Sequence, residues 1–299
     1  MTNPVAPTLA SLPAPRQTKK YGWVPDLPDH RDLVWAPKKS ARGLLPKLPS
    51  HVDLRTSGFE PEIYDQSALG SCTANGVGGV FEYTQKRLGY VDYVPGRLFI
   101  YYEERRVIDT LGYDSGAFIR DGLRVVNKLG APHESLWPYD ISRFTSQPPQ
   151  SSYDDALNHQ ATAYMTVDNK REFDVKQAIA AGLPVVFGFT VFPWFESPDA
   201  DGFCRPVAGQ GILGGHCVVA VGYFRLKNVW WAIIRNSWGI GFGQSGYCFM
   251  PLRWICNYWN ADDFWVIQEV EPDQLTSLKK ASERRGRRLA LLGDEKPVN

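Results

Sequence analysis

Cys72 stands in the stretch YDQSALGSCTANGVGG, residues 64–79, behind a glycine-serine turn and ahead of three closely spaced glycines. A thiol becomes a strong nucleophile when its thiolate is stabilised, and the first turn of a helix does this with unpaired N–H groups and the positive end of the dipole. The residues after Cys72 predict such a helix, with Ser71 as its cap, Val77, Val80, Phe81 and Thr84 on one face, and Gly89 at its exit. Gly76, Gly78 and Gly79 inside it each cost roughly 1 kcal/mol against alanine, so a central helix closely approached by its neighbours is expected. A lone cysteine is ordinarily a small buried hydrophobe, so the chemical reading depends on partners.

The chain offers five histidines, at 30, 51, 133, 159 and 216. His30 and His51 lie in proline-rich sequence, and His133 and His159 in polar loop sequence. His216 differs: LGGHCVVAVGY puts it at the start of an apolar strand, just after two glycines, where a ring can project from a sheet rim into a cleft. The next strand ends in IIRNSWGIGFGQSGY, whose Asn236 can fix an imidazole tautomer and whose Trp238 can shelter that bond from water. Gln66, shortly before Cys72, can join the Cys72 amide in holding an oxyanion. These four types supply a nucleophile, a base, an orienter and an oxyanion donor.

Positioning them requires a helical part and a strand part. RLFIYYEERRVID (97–109) and AFIRDGLRVVNKLG (117–130) read as further helices. Beyond them the period changes: 183–192, 215–225, 229–236, 246–250 and 264–270 are short, β-branched or aromatic and separated by glycine-rich breaks, predicting an antiparallel sheet or barrel. Helices followed by strands imply an α+β chain of two lobes with a cleft between them. Nine of the 22 prolines fall in residues 1–50, so 1–20 is expected to be a mobile arm. Residues 21–47, with Tyr21, Trp23, Leu27, Leu33 and Trp35, read as a proline-stiffened strap docked on the surface. The tail at 278–293 is basic and reads as a solvated, frayed helix.

The remaining composition mainly excludes. A net charge of +1 over 299 residues gives no electrostatic case for nucleic acid. No apolar run reaches the ~18 residues a membrane span needs, and no signal-peptide core is visible, which favours the cytoplasm. Five scattered cysteines suit neither a disulfide scaffold nor a zinc site, and neither a metal nor an organic cofactor is expected.

The motifs resemble the papain family of cysteine peptidases, especially its bacterial branch, over about residues 48–270. LPSHVDLRTSGFEPEIYDQSALGSC is similar to the start of a mature domain, NSWGIGFGQSGY to the asparagine motif with Phe242 in place of tryptophan, and GAPHESLWPYD to a segment of the first lobe. Histidine and asparagine partners are expected roughly 130–150 residues after the cysteine; His216 falls in that window and Asn236 overshoots it.

The resemblance implies a catalytic domain at 48–270, with a helical lobe at about 65–165 and a β-barrel-like lobe at about 166–270, flanked by a propeptide-like 1–47 and a tail at 271–299. It implies Cys72 as nucleophile, resting as a thiolate beside an imidazolium, with His216 as base and acid, Asn236 as orienter and Gln66 as oxyanion donor. Ser115, Gly116 and Gly215 would meet an extended peptide or protein substrate, Gly188 and Cys217 would line the main specificity pocket, and Trp238 would wall the site.

Three departures stand out. Leu69 and Tyr113 replace a disulfide pair, suggesting that packing has taken over its role in a reducing compartment; Thr73 replaces an aromatic; and the segment before the domain is short. A Cys204–Cys256 disulfide is a further implied possibility, with Cys217 and Cys248 as buried thiols. The expected protein is a monomeric endopeptidase, made zymogen-like by residues 1–47. The alternatives are a blunted binding module, or an acyl transferase or isopeptidase using the same site.

Overall fold

Helix α1 (Cys72–Arg87) is buried from Cys72 to Gln85, because a different neighbour covers each of its sides. A Cβ on Gly76 would lie 2.8 Å from the Cys217 sulfur, one on Gly78 would meet Arg97 and Pro95 at 3.5 Å, and one on Gly79 would meet Arg235 at 3.4 Å. The expected reason for the glycines thus holds most strictly at Gly76, where the contact is too short for a methyl group. Ser71 occupies the N-cap position without capping the helix; its hydroxyl bonds to that of Tyr139.

The computed structural model describes residues 21–37 and 47–272. The expected arm at 1–20, the strap's 38–46 and the basic tail lie outside the described residues. Helices α2 (Arg97–Val107) and α3 (Ile119–Lys128) pack on α1, and the short α4 (Gln150–Ala156) follows. Six strands then form an antiparallel sheet in the order β2-β7-β3-β4-β5-β6: β2 (Ala161–Thr166), β3 (Val185–Val191), β4 (Gly214–Leu226), β5 (Val229–Arg235), β6 (Tyr247–Pro251) and β7 (Ala261–Val270). The early strand β1 (His51–Asp53) pairs with β4, helix α5 (Glu172–Ala180) packs on β3 and β4, and α6 (Pro193–Glu196) and α7 (Leu252–Ile255) are single turns.

Helix α1 contacts β3, β4 and β7 as well as α2 and α3, so it sits at the seam between helices and sheet. The α+β architecture is as expected. Among the described residues, no helix is long and apolar enough to cross a membrane.

The strap departs from its expected form in detail. Trp23 and Trp35 are buried, at 8% and 7% exposure, whereas Leu27 and Leu33 face solvent at 82% and 65%. Backbone pairing explains the difference: Trp23 bridges Ala117 in parallel, and Val34 bridges Thr166, while the Leu27 segment passes over Arg120.

Candidate active site

The seam places Cys72 against the residue that follows His216 and links Gln66, His216 and Asn236 through one segment. Cys72 is the first residue of α1, so its own N–H has no partner within the helix. The backbone amides of Cys217, on β4 directly after His216, of Gly22 in the strap and of Thr73 lie near its sulfur and favour its anionic form. His216 Nε2 lies 2.8 Å from Asn236 Oδ1, and the Ser237 amide donates to the same oxygen at 2.8 Å. A carbonyl oxygen only accepts, so Nε2 carries the proton and the lone pair of the neutral ring sits on Nδ1. Trp238 stacks on this ring at 4.7 Å and 28°, and Phe242 meets Trp238 edge-on at 5.1 Å.

Gln66 is tied to the same unit. Its backbone amide donates to Ser237 O at 2.8 Å, its side-chain oxygen accepts from Ser237 Oγ at 2.7 Å, and its Nε2 donates to Leu69 O at 2.8 Å. The side-chain NH2 therefore points toward the turn before Cys72. One short segment, 236–238, orients both the imidazole and the glutamine.

The strap fills the cleft. Ala117 N–H donates to Gly22 O at 2.7 Å, Val24 N–H to Ala117 O at 3.0 Å, and Trp23 N–H to Gly215 O at 3.0 Å. Gly215 thus pairs with the extended strap on one side, and on the other it is Ala117, not Gly116, that pairs with it. The Gly116 amide instead goes to the Tyr101 hydroxyl at 3.1 Å, and its bare Cα makes room for the Gly22 carbonyl. Ser115 Oγ is turned inward to Thr110 and to Gly116 O.

The Trp23 indole lies on Gly188, where a Cβ would be 1.9 Å from the ring, and its Nε1 donates to Asp263 Oδ2 at 2.9 Å. Cys217 is the cross-strand partner of Gly188 and faces the same side, with its sulfur against Gly76. Tyr21 closes the other end, 6.3 Å from both the His216 and Trp238 rings and bonded to Glu196.

This cover changes the electrostatics. Burial pushes the Cys72 thiol up to about 12; the Cys217 and Gly22 amides pull it down without offsetting that, and the buried Glu104 carboxyl adds to the rise. Burial of the sulfur thus opposes the thiolate expected at rest for as long as the strap covers it. Thr73, in the aromatic's place, donates to Glu104 Oε2 at 2.8 Å and is fully buried.

One further expectation is corrected, and one open possibility is not realised. Tyr113 is 61% exposed, so packing has not replaced the missing disulfide; Asp114 does that work, accepting the Gly70 amide at 3.0 Å and the Tyr101 hydroxyl. All five cysteines are free thiols, and Cys204 neighbours Cys248 instead of bonding to Cys256. Sequence reasoning missed Asp114, Asp263, Asp26 and Arg120, whose partners lie far along the chain and leave no local periodicity.

Residues 48–258 match the family described as papain family cysteine protease. An uncharacterized peptidase C1-like protein of Acanthamoeba polyphaga mimivirus is 34% identical over 85% of this chain and 88% of its own length. A cathepsin L-like proteinase of Fasciola hepatica is 27% identical over 68% of this chain and 60% of its own. Among solved structures, xylellain, a cysteine protease from Xylella fastidiosa, superposes with a TM-score of 0.75 at 34% identity, covering 88% of this chain and all of that one.

Proposed function

The chain belongs to the papain family of cysteine proteases, and from that premise we propose that it hydrolyses peptide bonds through an acyl-enzyme on Cys72, while residues 21–37 hold its cleft closed. The observation that carries this reading is the convergence of Cys72, His216, Asn236 and Gln66 at the seam of α1, β4 and the segment after β5.

With the strap displaced, water reaches the sulfur and the barrier to its ionisation falls. His216 Nδ1 takes the thiol proton, and the resulting pair is further favoured by the start of α1. The sulfur attacks the peptide carbonyl carbon, and the oxygen's new charge is met by the Cys72 amide and Gln66 Nε2. Loss of one such donor typically costs roughly 3 kcal/mol of barrier. The imidazolium gives its proton to the leaving amine, the C–N bond breaks and a thioester remains. His216 then draws a proton from water, whose oxygen displaces the sulfur and releases the acid. Asn236 keeps the ring in the tautomer these transfers need.

The strap suits an inhibitor because the group it turns to the sulfur is the Gly22 N–H, which the sulfur can accept but not attack. Gly22 also passes close to the turn before Cys72: a Cβ there would lie 1.7 Å from Gly70 O. Gly22→Ala should therefore dislodge the strap and raise turnover of a small peptide substrate toward that of a protein lacking residues 1–47. Unchanged turnover in both folded variants would count against autoinhibition.

The filled cleft and raised thiol also favour a second reading, a recognition module with blunted chemistry. Labelling by a thiol-directed epoxide separates the two. Under the peptidase reading, Cys72 is modified slowly in the full chain and rapidly after removal of residues 1–47, and no cleft labelling occurs in Cys72→Ala. If Cys72 stays unmodified in folded, reduced, truncated protein, the binding module is the better account.

A further inference from the structure

Away from the cleft, three side chains converge where the loop after α3 meets the end of α4. The Asp155 carboxylate lies between two imidazoles, with Oδ2 2.9 Å from His133 Nδ1 and Oδ1 3.7 Å from His159 Nε2. The three potential ligand atoms lie within 4.8 Å of one another. We propose that His133, Asp155 and His159 form a binding site for a divalent transition metal of the Zn²⁺ kind, serving as a clip that stabilises the helical part of the molecule.

The donor chemistry and spacing fit. Zinc takes imidazole nitrogen and carboxylate oxygen at about 2.0–2.2 Å, which puts tetrahedral donors roughly 3.3 Å apart. The observed separations of 2.9 and 3.7 Å run to different oxygens of Asp155, and with all three potential ligand atoms within 4.8 Å of one another, side-chain rotation is what a common ion requires. An ion would take the place of the proton between His133 Nδ1 and the carboxylate. Two neutral rings and one carboxylate leave a net negative charge suited to a dication. The adjacent carboxylate, Glu134, is held by Arg97 at 2.7 Å, so water would complete the coordination.

The backbone presets these residues. His133 bridges Pro95, and its amide donates to Asp155 Oδ2 at 2.8 Å. Ala131 N–H donates to His159 O at 3.0 Å, and His159 N–H to Ala156 O at 2.9 Å. The Tyr93 ring stacks on His133 at 4.0 Å and lies 4.8 Å from His159, while its hydroxyl is held by Ala131 O. His159, expected in a polar loop, is instead 5% exposed, behind His133 and Asp155, whose side chains are 36% and 25% exposed. Beside His133 opens a surface cavity of about 380 Å³, lined also by Tyr93, Val94 and Glu134.

Binding requires unprotonated rings, so affinity falls as the solution is acidified. Because the metal binds the folded arrangement, it raises folding stability by mass action.

The test uses the full chain carrying Cys72→Ala, which removes the cleft thiol as a competing ligand. Zn²⁺ titration by calorimetry should give one equivalent bound and a raised Tm. Co²⁺ should give visible bands with no sulfur-to-cobalt charge transfer. Asp155→Asn and His133→Gln should each weaken binding at least tenfold while the metal-free protein still melts cooperatively. His133 is half-exposed, so its variant carries the test if Asp155→Asn fails to fold. No heat and no Tm shift at millimolar Zn²⁺, unchanged affinity in the variants, or a sulfur charge-transfer band would each overturn the proposal. Peptide cleavage is not a readout, so the clip and the peptidase reading stand or fall separately.

Discussion

The sharpest dependence lies between Gln66 and the segment that orients His216. Gln66 gives its carbonyl oxygen to Ser237 and its NH2 to the turn before Cys72, while Asn236 in the same segment fixes the ring. Under the proposed mechanism, Gln66 acts on charge that exists only in the transition state. Gln66→Ala in the protein lacking residues 1–47 should therefore lower kcat about 10²–10³-fold with little change in KM. An equal rise in KM at constant kcat would assign Gln66 to ground-state binding instead. These candidates stood out for separate reasons: Cys72 opens a predicted helix, His216 follows two glycines at the start of an apolar strand, Asn236 ends the next strand, and Gln66 lies shortly before the cysteine. Asp114 did not: its value lies in reaching Gly70 from a distant loop, and its own neighbourhood, GYDSGAF, reads as an ordinary turn.

Helix α1 sets a contrast between two of its glycines. A methyl group at Gly76 would lie 2.8 Å from the Cys217 sulfur and 3.0 Å from a Val186 methyl, whereas at Gly78 the nearest atoms are 3.5 Å away. Overpacking costs roughly 1–3 kcal/mol, and the helix propensity gained is about 1 kcal/mol. Gly76→Ala should thus lower stability by up to about 2 kcal/mol, and Gly78→Ala should raise it by up to about 1 kcal/mol, both read from urea unfolding. Equal effects at the two sites would refute the packing account of the glycine run. The helix itself and five of the strands were visible from period and composition. The strand Ala161–Thr166 was hidden, since its exposure does not alternate and its pairing with Ala261–Val270 shifts register twice. Helix Glu172–Ala180 gave no signal strong enough to stand apart from its polar surroundings.

Under the proposed autoinhibition, the closed state of the whole molecule is expected to depend on acidity. Under the strap, burial and then the facing Asp263 raise Asp26 to about 7, and burial raises Asp263 to about 6; Arg120 pulls both down, and Asp121 and Asp262 push them up. Arg120 lies 3.4 Å from Asp26, but it also serves Asp32 at 2.7 Å, so its pull is divided and burial prevails. Once the strap leaves, both carboxyls regain water and values near 4. The docked form therefore holds more protons. Docking is fully supported below about pH 4 and loses support as the pH rises through about 6 and about 7. The ratio of activity without residues 1–47 to activity with them should accordingly shrink from pH 5 to pH 8, and Asp263→Asn should flatten the trend. A ratio independent of pH would remove the carboxyl pair from the account.

Because the Trp23 plug belongs to the same polypeptide as the cleft, its grip need not be tight. A covalently attached ligand faces its site at an effective concentration on the order of millimolar, whatever the dilution of the protein. A separate synthetic peptide copying residues 21–37 would lack that advantage and make a weak inhibitor, and a competing substrate would have to outbid a neighbour that never diffuses away.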